Sequence, residues 1–280
     1  MERKNEASKH QVLKSSLTRK HKRNKVAYIK ERDGFKYDVT KKDPHVNVMV
    51  SSIREHKKQS FSFKDRLAGA KFRQLNEVLY SSNSRDAQSY FNDNESDFIS
   101  YHDGWQRQQL KGWIQKPVDM IAERIKVLHK SNDIIADMGC GEGRLFELLS
   151  NLPLKINSFD LVATKPFITK CDVSRTPLES SVVSFVVFSL SLMNVNYGDS
   201  LVEASRILKL NGRLLIAEVE SRFDQCIEEN FIDAILGLGF KVISTRRISK
   251  MFIMFEFALK KKSQIVPTWP SLRPCIYKRR

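Results

Sequence analysis

Asp133-Ile-Ile-Ala-Asp137-Met138-Gly139-Cys140-Gly141-Glu142-Gly143-Arg144-Leu145 decides how this chain is read. An apolar run closes on an acid, three glycines follow at alternate positions, and a helix-like run from Leu145 to Ser150 comes next. Strand, glycine turn and helix form the unit with which open α/β sheets hold nucleotides, the ligand lying at the carboxyl end of the strand. Glycine suits such a turn because it accepts positive φ and lets backbone approach a ligand closely. The spacing, Gly-x-Gly-x-Gly behind an acid, is not the Gly-x-Gly-x-x-Gly dinucleotide fingerprint.

Downstream, strand and helix patterns alternate, as in a parallel sheet covered on both faces. Ile156–Val162 reads as a second strand carrying Asp160, 21 residues after Gly139, and Phe167–Asp172 as a third. Ser181–Leu190 is β-branched and continuous, the pattern of a doubly covered central strand. A helix over Asp199–Leu208 leads through Gly212 to a fifth strand, Arg213–Val219. A helix over Phe223–Leu238 then ends at Gly239. Phe240–Ser244 and Met251–Leu259 read as an antiparallel pair at the sheet edge. Asp160 can accept both ribose hydroxyls of an adenosyl ligand, and Asp172 its adenine amino group, with Val173 contributing a backbone N–H and an apolar side chain. Any one such acid could merely cap a helix; three successive strands ending in acids behind a glycine turn agree on a ligand.

Upstream, Phe63–Tyr80 has helical spacing, Ser81–Ser84 interrupts it, and Asp86–Phe91 resumes a short helix. Pro117 suits the first turn of the helix before the sheet. Residues 1–60 hold 17 Lys/Arg against 7 Asp/Glu, ten of the sixteen net positive charges. They read as a disordered basic arm: a nuclear address, an RNA tether or a solvated tail. The expected organisation is therefore a disordered basic arm (1–60), a helical subdomain (61–130), a ligand-binding α/β domain (131–263) and a basic tail (264–280). The sequence pI near 9.7 points to a polyanionic partner, nucleic acid before membrane. Four cysteines without a Cys-x-x-Cys pair suggest neither disulfides nor a metal site. No apolar run nears the ~18 residues of a membrane span, so a soluble intracellular protein is expected.

The glycine turn resembles motif I of the class I S-adenosylmethionine-dependent methyltransferases. Closer resemblance comes from Phe72–Tyr80, Tyr101-His102-Asp-Gly104-Trp105, Lys116-Pro-Val-Asp119, Ser158-Phe-Asp160-Leu-Val162, Cys171-Asp172, Ser189-Leu-Ser-Leu-Met193, Ala217–Phe223 and Arg273–Arg280. Together these resemble the ribosomal RNA-processing protein 8 family. The resemblance implies a class I, Rossmann-like fold: a seven-stranded, mostly parallel sheet with helices on both faces, preceded by a small helical subdomain. It implies a nucleolar enzyme that uses S-adenosyl-L-methionine to form N1-methyladenosine in large-subunit ribosomal RNA, with rRNA or the pre-ribosome as partner. Carried over by position, the cofactor contacts fall on His102, Gly139, Gly141, Asp160, Asp172, Val173 and Ser189. His102 alone would be an ordinary core or surface histidine. Ser189 stands where the family usually has cysteine, Val173 where methionine is common, and Asn194-Val195 where Gly-Thr is usual.

The Asn/Asp-Pro-Pro-aromatic box of exocyclic amine methylation is absent after strand four. A ring nitrogen with a free lone pair needs no general base, so no catalytic residue is assigned; alignment and electrostatics would supply the acceleration. Met193–Asn196 and Glu218–Arg222 are expected to flank the substrate, with Arg222 and Lys278–Arg280 placed to hold RNA phosphates. A second reading is a cofactor-binding scaffold with little turnover, since binding and turnover are separable.

Overall fold

Val183–Ser189 forms the centre of a seven-stranded sheet, and Val186, Val187 and Phe188 within it are fully buried. The computed structural model describes residues 29–32, 35–38, 63–110 and 115–275. They divide at Ser60 into two units. In the first, β1 (Ile29–Arg32) and β2 (Phe35–Asp38) pair antiparallel. This hairpin lies inside the segment read as a disordered arm; the rest of that reading falls outside the described residues. Its sequence signal was Asp33-Gly34, a dipeptide that two-residue hairpin connections favour.

The second unit begins with four helices, α1 (Phe63–Ser81), α2 (Ser84–Asp93), α3 (Glu95–Leu110) and α4 (Pro117–Leu128). Asn83 caps α2 by accepting from the Asp86 N–H at 2.9 Å, and Pro117 opens α4 where its missing N–H costs nothing. Then come β3 (Ile134–Met138), α5 (Arg144–Leu149), β4 (Lys155–Asp160), β5 (Ile168–Lys170) and the central strand, β6. They are followed by α6 (Tyr197–Ile207), β7 (Leu208–Val219), α7 (Gln225–Gly237), β8 (Phe240–Ile248) and β9 (Phe252–Leu259). The strand order is β5-β4-β3-β6-β7-β9-β8. All pairings are parallel except those of β9, which runs antiparallel to both β7 and β8. The order reverses between β3 and β6, the place where open α/β sheets leave a crevice for ligands.

Side chains alternate across β6, as the two-residue period of a strand requires. Phe185 and Val187 pack with Ile121, Ile125, Leu145 and Leu149 of α4 and α5; Val186 and Phe188 pack with Leu201, Ile207, Phe231 and Ile235 of α6 and α7. A third cluster, Phe72, Leu75, Leu79, Phe91, Phe98 and Tyr101, buries Val162 beyond β4 and holds Met193 beyond β6 against it. The helical region therefore forms a cap over the carboxyl ends of the strands. Every residue of β9 is buried, including Glu256, whose carboxylate accepts from Arg124 at 2.8 and 3.1 Å with Arg213 at 3.4 Å. Without those cations a carboxylate there would be prohibitive.

Two expectations change. Strand five begins at Leu208, immediately after α6, not at Arg213; a register shift between Val183 and Phe185 accommodates the extra residues. The segment read as a tail from residue 264 is tied down as far as Cys275. Tyr197 Oη donates to Pro270 O at 2.6 Å, Trp269 packs edge-on against Tyr197, and Asn76 Nδ2 donates to Cys275 O at 2.9 Å. Lys278–Arg280 lie outside the described residues.

Candidate cofactor and acceptor site

The turn after β3 places Gly139, Gly141 and Gly143 at φ of +78°, +57° and +74°. Gly139 and Cys140 both donate their N–H to Phe159 O, at 2.9 and 3.0 Å, which ties the turn to β4. Close approach adds a second constraint. A Cβ on Gly139 would lie 2.5 Å from Ser191 Cβ, and one on Gly141 would lie 3.2 Å from His102 Cε1. The imidazole of His102, supplied by α3, thus sits directly over the glycine turn.

Asp160 closes β4 and is buried. Its Oδ2 accepts from Gly141 N and its Oδ1 from Leu161 N, each at 2.7 Å. A carboxylate has about four lone-pair positions, so acceptor capacity remains after both bonds. Burial pushes this carboxyl up to about 6, opposed by the two N–H bonds. Asp172, beyond β5, accepts from Ser174 N at 2.9 Å and from Ser84 Oγ at 2.8 Å. All seven expected residues, His102, Gly139, Gly141, Asp160, Asp172, Val173 and Ser189, line one cavity of about 430 Å³ beneath the cap.

The same cavity contains Asp137, already read as a strand-end acid, and residues that sequence reasoning missed. Asp137 lines it, with its carboxyl pushed up to about 7 by burial and then by the Asp160 charge. Tyr101 and Trp105, four apart on α3, line the cap side together with His102; that helical spacing was the available signal. Ser84 gave no such signal, because its role depends on a partner 88 residues away. Burial lowers His102 to about 4, so the imidazole is neutral near pH 7, and pushes the Cys140 thiol far up. A buried, neutral imidazole binds and positions, and the half-buried Cys140 is held as a thiol, the less nucleophilic form. Among the described residues no His, Cys, Asp or Glu group could hold a metal ion, and no helix is long and apolar enough to cross a membrane.

The expected substrate side divides. Met193 and Asn194 line the cavity. Arg222 does not face substrate, and its assignment to RNA phosphates is corrected. It is 1% exposed, donates to Glu218 at 2.9 Å and to Arg273 O at 3.1 Å, and its guanidinium lies 4.9 Å from the centre of the Tyr80 ring. Glu218 is equally buried and also accepts from Leu192 N at 3.0 Å. A guanidinium so enclosed holds the loop after β6, the strand end and the cap together, and cannot also meet solvent phosphates.

Comparison with known proteins agrees with this geometry. A protein-family model described as a hypothetical methyltransferase matches residues 56–280. Ribosomal RNA-processing protein 8 of Arabidopsis thaliana is 41% identical over 226 residues, covering 78% of this chain and 77% of that protein. The 25S rRNA (adenine(645)-N(1))-methyltransferase of Schizosaccharomyces pombe is 35% identical, covering 100% of this chain and 90% of that one. Among solved structures, the fold is shared with the 1,6-didemethyltoxoflavin-N1-methyltransferase of Burkholderia thailandensis, with a TM-score of 0.50 and 17% identity over 62% of this chain and 90% of that one. By the extent and level of these matches, the chain belongs to the ribosomal RNA-processing protein 8 family of methyltransferases.

Proposed function

We propose that this protein is an S-adenosyl-L-methionine-dependent methyltransferase that forms N1-methyladenosine in large-subunit ribosomal RNA, acting in ribosome biogenesis in the nucleus and nucleolus. The observation that carries the reading is the single cavity at the sheet's switch point, where the glycine turn, Asp160, Asp172 and His102 meet. Its residues suit the cofactor: side chains are lacking where Gly139 and Gly141 line the floor, and Asp160 keeps free lone pairs after two N–H bonds. Asp160 would accept from the ribose hydroxyls, Asp172 from the adenine amino group, and Val173 would pack on the ring. Gly139, Gly141, Ser189 and His102 would complete the contacts. When bound, S-adenosylmethionine supplies an electrophilic methyl group on a sulfonium centre.

The chain's own residues then bind, orient and exclude water. An adenine N1 carries its own lone pair, so no side chain has to remove a proton first. Holding that nitrogen in line is the main catalytic task, and the apolar wall of Leu79, Tyr101, Trp105 and Met193 suits an unstacked base. RNA presents its Watson–Crick edges where it is single-stranded or looped, and a net charge of +16 favours binding to its phosphates. The kinship with the fission-yeast adenine-N1 enzyme supports this substrate over a metabolite. The test is mapping of N1-methyladenosine on large-subunit rRNA with and without the protein. Loss of one such site on removal, restored by the wild type but not by an Asp160 variant, is expected. An unchanged map would refute the activity and leave the scaffold reading.

A further inference from the structure

Ser84 is the first residue of α2 and is buried, though it belongs to no strand end. Its backbone N–H donates to Asn196 Oδ1 at 2.8 Å, and its Oγ accepts from Asn196 Nδ2 at 3.1 Å. The hydroxyl proton is therefore directed to the remaining partner, Asp172 Oδ2, at 2.8 Å. The donor order is fixed by chemistry: an amide NH2 can only donate, and a carboxylate can only accept. Asn196 in turn sits at the N-cap of α6 and donates to Asp199 at 2.9 Å. Its neighbours pin the same loop to the cap: Val195 N donates to Ser82 O at 3.1 Å, and Asn194 Nδ2 to Leu79 O and Ser82 O at 3.2 and 3.3 Å.

We propose that Ser84 and Asn196 are positioning residues for the cofactor, forming a one-way relay, Asn196 to Ser84 to Asp172, that fixes the Asp172 carboxylate as an oriented acceptor. Ser174 N restrains one oxygen of Asp172 and Ser84 Oγ the other, so the carboxylate cannot rotate away from the cavity it lines. The relay begins on the loop after β6, beside Met193 and Asn194 on the acceptor side. Order in that loop is thereby coupled to the adenine end of the cofactor site. This inference rests on the reading of Asp172 as an adenine contact.

The test measures S-adenosylhomocysteine affinity by calorimetry, and KM for S-adenosylmethionine against kcat, on the full chain. Ser84→Ala removes the donor and is expected to weaken binding about tenfold, the scale of one net hydrogen bond, through KM with kcat little changed. Asn196→Asp keeps the size, exchanges the bond to Asp199 for a facing acid, and draws the Ser84 hydroxyl to its own carboxylate, so the same loss is expected without contact to the cofactor. Ser84→Thr keeps the hydroxyl and should stay within about twofold of wild type. Because Asn196 acts through Ser84, the double variant Ser84→Ala/Asn196→Asp should be no worse than Ser84→Ala alone. Additive losses, or wild-type affinity in both single variants when the wild type binds normally, would overturn the relay. Absence of binding by the wild type itself would instead refute the cofactor assignment.

Discussion

Replacing Asp160 by Asn separates binding from folding, and the structure gives both magnitudes. The side chain keeps its shape, and its carbonyl oxygen can still accept one of the two N–H groups, Gly141 or Leu161, now held at 2.7 Å. Its NH2 must meet the other donor, leaving one buried N–H unpaired at a cost of about 1–3 kcal/mol. Against this, burial raises the Asp160 carboxyl to about 6, a penalty on the charged form of about 3 kcal/mol at pH 7 that asparagine does not carry. The two effects offset, so the melting temperature should move by no more than a few degrees. Cofactor binding has no such offset. An ionised acceptor is lost where ribose hydroxyls would donate, and a charged hydrogen bond is worth about 1.5–3 kcal/mol, roughly 10–150-fold in affinity. Calorimetry with S-adenosylhomocysteine alongside thermal unfolding reads both quantities. In the wild type, affinity should also weaken as pH falls through about 6, where the carboxylate protonates; in Asp160→Asn that dependence should vanish. Unchanged affinity in a folded variant would refute the reasoning, as would a collapse of stability that removes binding only by unfolding.

His102→Gln should remove one source of acid sensitivity. A histidine depressed to about 4 contributes stability that is present above its ordinary 6.5 and lost as pH falls towards 4, about 3 kcal/mol across that window. Denaturant titrations at pH 7 and 4 would show the wild-type advantage shrinking by that amount; a constant difference would count against a buried neutral imidazole. Arg222→Ala should destabilise by about 3–5 kcal/mol, because it strands the buried Glu218 carboxylate. A change within about 0.5 kcal/mol, typical of surface sites, would mean the ion pair is not enclosed in solution. Deleting residues 1–60 should leave S-adenosylhomocysteine affinity unchanged but flatten the salt dependence of RNA binding, since fewer phosphates are neutralised; an unaltered salt slope would rule out the arm as a tether.

Much of the fold could be read in the sequence because it is written in local patterns. The continuous apolar run in β6, the glycine turn and the acids at 160 and 172 each have near neighbours in the chain that give them meaning. That is why the seven site residues expected from strand ends and family resemblance lie on one cavity. The misreadings concern residues whose partners are remote. Arg222 looked like a surface cation because Tyr80 and Arg273 enclose it from 142 positions before and 51 after. The segment from 264 looked like a tail because it ends in Lys278-Arg279-Arg280 and carries no acid; Trp269 and Leu272, packed against the core, decide its course. Glu256 would have been an implausible member of a buried strand without Arg124 and Arg213. A buried charge is a tertiary fact, and only the fold supplies its partner.

The bond from Asn76 to Cys275 spans 199 residues, and its consequence is one of timing during synthesis. At roughly 5–20 residues per second, the carbonyl that Asn76 meets emerges roughly 10–40 s after the helix that carries it. Val162 and Met193, which pack in the same cluster as α1, are made part-way through that interval, and only the closing segment arrives at its end. Arg222, too, waits for the Arg273 carbonyl. The first helix of the second unit is thus tied by a carbonyl made 199 residues later, so a chain cut just before Cys275 would hold every strand of the sheet and lack that tie.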